Sequence, residues 1–543
     1  MQQLQLLDYI IFFVYFIIVA AYGFYIYNRK KTGIESTKDF FLAEGSLTWW
    51  AIGASLIASN ISAEQFIGMS GNGFSMGLAI STYEWMAAVT LIVVAVFFMP
   101  IYLKNKIWTM PQFLTQRYNK RVSLIMAVFW LGLYIMVNLT SILYLGALAV
   151  SGISGLDFWF CMWSLAIFAI IITIGGMKVI GYTDVIQVFF LIVGGLATSY
   201  LALNLVAGDG LITFGGMVDG FHQMKQNHDD HFHMIFNESS PFYSQLPGLT
   251  VLFGGMWIVN LNYWGCNQYI TQRALGADLP TARKGLLFAA ALKLLMPALV
   301  VIPGIAAYAL YSKGLFVNEL TENGEIVADK AYPVLLGLLP VGLKGLSFAA
   351  LTAAVVASLA GKANSISTIF TLDIFKEYFG KDKSEEQLVR IGRLVIVISM
   401  LMAIVISPYM GIDKKGGFQF IQEMTGLVSP GVFAAFIMGF FWKRTNSAGA
   451  LFAIVGGFLI ALAMHNNWPP LSLIADWTTI PFLDRMGWVF LICVAVMIVL
   501  GLTMPDEKKG LEIDARMFKV DTVFAIGAGV VLLIVVILYA TFW

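Results

Sequence analysis

Hydrophobic residues run along this chain in long blocks separated by short polar stretches, from Leu6 almost to the last residue. A helix needs roughly 20 apolar residues to cross the hydrocarbon core of a bilayer. By that criterion the blocks predict helices near 6–27, 47–71, 76–103, 122–150, 155–177, 183–206, 248–271, 285–312, 334–372, 390–410, 417–442, 447–465, 486–503 and 520–542, about fourteen crossings in all. The 334–372 block is too long for one straight crossing and is expected to run on past the membrane.

Two blocks are interrupted. The second carries Gly53, then Ser59, Asn60, Ser62, Glu64 and Gln65, then Gly68, Gly71 and Gly73. The seventh carries Gly254 and Gly255 ahead of Asn260-Leu261-Asn262-Tyr263-Trp264-Gly265. If five spans repeat in inverted orientation, helices 2–6 pair with helices 7–11, and both interrupted helices open their repeats. Broken helices at corresponding positions point to a transporter site, where freed carbonyls meet an ion and side chains hold a solute.

Composition fixes the solvent. Hydrophobic residues make up 59% of the 543 positions and charged residues 12%, with mean hydropathy +0.81, too apolar for a soluble protein of this length. The expectation is an all-α polytopic membrane protein. A net charge of +1 without basic tracts gives no footing for nucleic acid. Cys161, Cys266 and Cys493 all lie in apolar blocks and suggest neither disulfides nor a metal centre. Residues 1–8 lack the basic region of a cleaved leader, so the first block is expected to remain as a helix.

Lysine and arginine set the orientation. Arg29, Lys30, Lys31, Lys38, Lys104, Lys106, Arg117, Lys120, Arg121, Lys178, Arg273, Arg283, Lys284, Lys443, Arg444 and the 376–393 and 508–519 loops share one side. Roughly 24 basic residues there face about 7 opposite, which makes that side cytoplasmic and puts both termini outside. The extracellular 207–247 loop contains HDDHFH, from His228 to His233. Its residue types suit a metal, but without helical spacing the reading is a solvated loop. Asn237-Glu238-Ser239 is a glycosylation sequon relevant only to a eukaryotic secretory pathway. No HExxH or P-loop is present, and no nucleophile–base pair suggests an enzyme.

The chemistry then falls to polar residues inside the membrane: Glu64, Glu84, Asp184, Lys293, Lys362 and Glu423, with the amides Asn60, Gln65, Asn138, Asn260, Asn262, Asn267, Gln268, Gln419 and Gln422. Single amides commonly bridge helices. Ionisable groups at this depth face a partner or a wet cavity, and the whole set is concentrated in a few segments.

The runs SLIASNISAEQFIGMSG, STYEWMAAVTL, YTDVIQVFFL, NYWGCNQYITQRAL, FQFIQEMTGLVSPG and GFFWKRTNSAGA resemble the sodium/solute symporter family, and within it the bacterial sodium/glucose–galactose branch. The resemblance extends from about residue 38 to 455. It implies a LeuT-like fold of five-plus-five inverted repeats: 1–46 an extra helix and loop, 47–206 the first repeat, 207–247 the extracellular loop, 248–442 the second repeat, and 443–543 three further helices. It implies a multi-pass protein of the bacterial inner membrane that takes up glucose or galactose with Na⁺ by alternating access, without an organic cofactor.

By the same resemblance Gln65, Glu84, Asn138, Asn260, Lys293 and Gln422 fall at sugar-contacting positions. Tyr263 falls at an inner gate, and Met69, Tyr83 and Phe418 at an outer one. This menu suits a hexose, whose hydroxyls call for amides, an acid, a base and a ring. Glu84 and Lys293 would each be costly alone, so they are expected together. Glu64 and Thr425 are expected to tie the broken helix to the eleventh span. Where the family's galactose carrier has serine, this chain has Ala87, and Asn262 replaces an aromatic beside the gate.

For Na⁺ the resemblance implies the carbonyls of Ala58, Ile61 and Ala354 and the hydroxyl of Ser358. The family's preceding serine is Ala357 here, and Lys362 stands at i+4 from Ser358 on the same helix face. Three readings of Lys362 stay open: an ion pair with Asp184 on the inner exit route, an ammonium that occupies the sodium position, or a lysine whose own proton is the coupled ion. An uncoupled or proton-coupled carrier, and a solute sensor, are the functional alternatives.

Overall fold

Local sequence signals account for many helix ends. Thr109 and Gln112 form a capping box, as do Ser384 and Gln387, and Asp278 caps a 34-residue helix that has proline in its first turn. The computed structural model describes residues 4–28, 41, 47–208, 210, 212–322, 324–409, 417–504 and 510–543. Arg29, Lys30, Lys31, Lys38, Lys508 and Lys509 of the orientation argument lie outside the described residues, as do the side chains of Lys178 and Gln419.

The helices that matter below are α1 (Leu6–Asn28), α2 (Trp49–Asn60), α3 (Ser70–Met76), α4 (Thr82–Val93), α5 (Lys120–Leu133), α6 (Thr140–Ser154), α7 (Phe158–Ile174) and α8 (Met177–Ala207). They continue with α9 (Gly255–Gly265), α10 (Gln268–Leu275), α11 (Leu279–Ser312), α12 (Leu343–Thr368), α13 (Glu385–Ile406), α14 (Gly417–Gly426), α15 (Ser429–Phe441), α16 (Phe482–Thr503) and α17 (Thr522–Thr541).

Among the described residues ten helices are long and apolar enough to cross a membrane. The number is eleven if Phe420–Gly426 and Ser429–Phe441, bent by 47°, count as one span. The expected fourteen is not reached by this measure, for physical reasons. The second block stops at Asn60 after 12 residues, α9 and α10 are 11 and 8 residues long, and α7 has 17. The 334–372 block is helical from Leu343 through Tyr378, 36 residues, so it does overrun a single crossing.

The break after α2 is built by side chains. Ile61 takes an extended conformation (ψ 104°) after its N–H makes the last helical bond, to Ile57. Ser62 N–H then donates to the Gln65 side-chain oxygen at 3.1 Å, and Glu64 N–H to Ser62 Oγ at 3.1 Å. Helical bonding resumes from Gln65 and Phe66 to the Ser62 carbonyl. The polar run thus supplies the local acceptors that a terminated helix requires.

Helix α11 clamps both halves of the broken helix through glycines. A Cβ at Gly53 would lie 2.7 Å from the Gly285 carbonyl, and one at Gly73 would lie 2.7 Å from that of Val301. At Gly304 a Cβ would collide with the backbone of Ser70. Helix α12 is buried over nearly its whole length because alanines and glycine let its neighbours approach. Its N-terminus is capped from α1: Asp8 is fully buried and accepts from Gly342 N–H at 2.7 Å and Gly345 N–H at 2.9 Å.

Candidate functional site

One cavity, enclosing about 960 Å³ counted to its mouth, lies between the broken α2 segment and α4, α9, α12 and α14. Gln65, Glu84, Asn138, Asn260, Lys293 and Gln422 all line it, as do Tyr83, Tyr263 and Phe418. Met69 is fully buried and does not. Residues 330 and more positions apart in the chain thereby face one space.

Lys293, on α11, donates to Glu84 of α4 at 2.5 Å, and the two side chains are 1% and 3% exposed. Lys293 also donates to Asn60 Oδ1, and the Asn60 amide donates to the Tyr263 hydroxyl at 3.2 Å. An unbroken chain of contacts therefore leads from an acid on α4 to the tyrosine on α9. Above the cavity the rings of Tyr83 and Phe418 meet edge to face at 5.2 Å. Asn260 holds its own helix by donating to the Met256 carbonyl at 3.1 Å. Ala87 lines the cavity one turn beyond Glu84, and Asn262 donates to Ser429 Oγ at 3.0 Å while its Oδ1 has no partner among the described residues.

At the helix break Ser358 Oγ lies 3.4 Å from the Ala58 carbonyl and donates to that of Ser59 at 3.1 Å. The Tyr269 hydroxyl donates to the Ser59 carbonyl as well. Ser59 Oγ is buried with no partner among the described residues, and Ala357 contributes no hydroxyl. Neutral oxygens of this kind suit a hard monovalent cation. Ala354 lies one turn before Ser358 on α12, buried. Among the described residues no group of three His, Cys, Asp or Glu could hold a metal.

Several expectations need correction. Asp184 does not pair with Lys362: it accepts from Ser55 Oγ at 2.5 Å, and Ser55 accepts from Arg273 Nε at 3.0 Å. Lys362 instead donates to Asn138 at 3.2 Å and lies 3.9 Å above the Tyr269 ring. Thr425 donates back to Ile421 and Gln422 of its own helix rather than to Glu64, although both line the cavity. Arg117 and Arg273, taken as loop cations, are fully buried; Arg117 closes the end of α15 by donating to Gly439, Trp442, Lys443 and Thr445 carbonyls. Tyr269, unnoticed in the sequence, was signalled only by lying four residues before Arg273, inside the interrupted segment. The HDDHFH loop is docked rather than wholly solvated: His231 contacts the Phe74 carbonyl at 3.2 Å and stacks on Tyr308 at 4.0 Å.

A model of the sodium:solute symporter family matches residues 40–457. The sodium/glucose cotransporter of Vibrio parahaemolyticus is 45% identical over 99% of both chains. Human sodium/myo-inositol cotransporter 2 is 34% identical over 84% of this chain and 69% of its own. The structure of a Na⁺-coupled sialic acid symporter in a substrate-bound outward-open state superposes with a TM-score of 0.79 at 22% identity, covering 93% of this chain and 99% of that one. Mhp1, a nucleobase-cation-symport-1 family transporter, gives 0.54 at 15% identity over 88% and 98%. Both structures speak for a shared LeuT-like fold alone. This chain belongs to the sodium:solute symporter family, multi-pass membrane carriers that move a small solute together with sodium.

Proposed function

We propose that this carrier takes up a hexose, glucose or galactose, one Na⁺ accompanying each sugar. The observation that carries the reading is the single cavity into which six polar residues from distant parts of the sequence converge, with an acid–base pair and a tyrosine among them. In this reading Gln65, Glu84, Asn138, Asn260, Lys293 and Gln422 hold the sugar hydroxyls, and Tyr263 closes the site inward. Tyr83 and Phe418, backed by Met69, close it outward. The cation is held by the carbonyls of Ala58, Ile61 and Ala354 and by Ser358, joined by the Ser59 carbonyl, and leaves past Asp184. The name of the Vibrio relative supports glucose as the solute.

The chain is further proposed to lie in the bacterial inner membrane, both termini outside. The bent α14–α15 pair taken as one span, the two broken helices and the 17-residue α7 would complete fourteen crossings, ten of them in the inverted repeats 47–206 and 248–442. One Na⁺ moving down about 100 mV supplies ~2.3 kcal/mol, and a tenfold gradient adds ~1.4 kcal/mol. Together they sustain an accumulation of a few hundredfold for a neutral sugar. Lys362 donates to Asn138 rather than to the carbonyls of the break, which favours Na⁺ over a tethered ammonium as the coupled charge. Uptake of labelled glucose and galactose into proteoliposomes tests the reading: it should rise steeply with an inward Na⁺ gradient. Equal uptake in choline and sodium buffers would overturn it.

A further inference from the structure

Lys362 is a buried lysine whose surroundings reach two sites at once. It stands one turn after Ser358 on α12, so both side chains leave the same face of that helix. Its ammonium donates to Asn138 Oδ1 at 3.2 Å, on the wall of the solute cavity. The same ammonium lies 3.9 Å from the ring centroid of Tyr269, with Tyr134 at 5.2 Å and Tyr263 at 5.9 Å. The Tyr269 hydroxyl donates to the Ser59 carbonyl, the oxygen that also accepts from Ser358 at 3.1 Å. An amide of the solute wall and a carbonyl of the helix break are thus joined through one ammonium and one phenol.

We propose that Lys362, seated on Tyr269, is the residue that couples solute binding to cation binding, acting as a movable positive charge between the two sites. The inference rests on the solute-plus-sodium reading above. A fixed cation about one helical turn from the carbonyls disfavours a second cation there by an amount that falls as the charges separate. A solute hydroxyl that donates to Asn138 competes with the ammonium for the same oxygen. The displaced ammonium moves along the face of the tyrosine rings, which attract cations, and toward Glu64, the carboxylate that interacts with it electrostatically. Arg273, the other cation acting on Lys362, is anchored to Ser55 and to the Tyr269 carbonyl and does not follow. Paired with that carboxylate the ammonium has its charge offset, which lowers the repulsion at the helix break, so a bound solute tightens Na⁺. By linkage Na⁺ tightens the solute by the same factor.

The test compares the full-length wild-type chain with Lys362→Met, Lys362→Arg and Tyr269→Phe in detergent and in proteoliposomes. Half-saturating Na⁺ is read from thermal stabilisation by NaCl against choline chloride, without sugar. The coupling factor is the ratio of affinities for labelled glucose, and in parallel galactose, with and without Na⁺. Removing a like charge at this range is expected to tighten Na⁺ by about tenfold in Lys362→Met, a change that mere structural damage would not produce. The coupling factor in that variant is expected to fall to about 1, and Lys362→Arg should keep most of it. Tyr269→Phe keeps the ring but removes the phenol donor from the Ser59 carbonyl, leaving Ser358 as its partner; its coupling factor should fall at least severalfold. A Lys362→Met protein with unchanged or weaker Na⁺ affinity and intact coupling overturns the proposal, as does unchanged coupling in Tyr269→Phe. If the wild-type chain itself binds solute without regard to Na⁺, the parent reading fails instead. The two failures are told apart by which protein shows them.

Discussion

Lys293 and Glu84 meet at 2.5 Å with almost no exposure, and they sit 209 residues apart on α11 and α4. Removing one member strands the other charge at bilayer depth, an effect worth about 3–5 kcal/mol for buried pairs. Glu84→Ala is expected to lower the thermal transition in detergent markedly and to abolish uptake. The double variant Glu84→Met/Lys293→Met should regain most of the stability and none of the uptake. Recovery of transport in the double variant would show that the pair serves the fold and not the solute.

Ala87 faces the cavity one helical turn from Glu84, where a serine hydroxyl would add a donor and an acceptor. One net hydrogen bond is worth ~1 kcal/mol, about fivefold in affinity. Ala87→Ser is expected to shift the ratio of galactose to glucose uptake by about that factor, measured by competition in proteoliposomes. An unchanged ratio would place the epimeric hydroxyl elsewhere in the cavity.

Asp8 accepts from two N–H groups at the start of α12 and from its own chain at Gln5. It does for a neighbouring helix what a capping residue does for its own, and it places a negative charge at the positive end of that helix. Asp8→Ala is expected to cost about 2 kcal/mol, seen as a lower thermal midpoint, while sugar affinity is retained. Asp8→Asn, which keeps an acceptor oxygen, should recover about half of the loss.

Gly304 meets the backbone of Ser70 so closely that no side chain fits. Overpacking against backbone at this contact is expected to cost about 3 kcal/mol or more. Gly304→Val should yield little monodisperse protein in size-exclusion chromatography. Gly132→Val, on α5 with nothing within 4 Å of its Cβ, is the matched control and should behave as wild type.

Ionisable residues in apolar blocks are conspicuous, so the members of the cavity could be picked out before their arrangement was known. The cost of burying one charge also foretold that Glu84 and Lys293 would meet. Sequence alone could not say which of two cations Asp184 would face. Lys362 was the partner expected because Arg273 reads as a loop cation, and the packing of α2, α8 and α10 instead brings Ser55 between the acid and the Arg273 guanidinium. Arg117 and Arg273 stand in polar-looking stretches, and only tertiary packing shows that their guanidinium groups end on buried carbonyls. The helix count differed for a related reason. Hydropathy sums over a window and does not register a break such as Ile61, where side-chain hydrogen bonds replace backbone ones.

The carbonyls freed at that break are held by hydroxyls that belong to other helices, Ser358 of α12 and Tyr269 of α10. The lone pairs left for an ion therefore depend on how far α12 and α10 stand from α2. A sub-ångström sliding of these helices would alter ion affinity before any side chain changed rotamer. The cation site then works as a gauge of helix spacing, and the ion selects among packings of the bundle as much as among its own ligands.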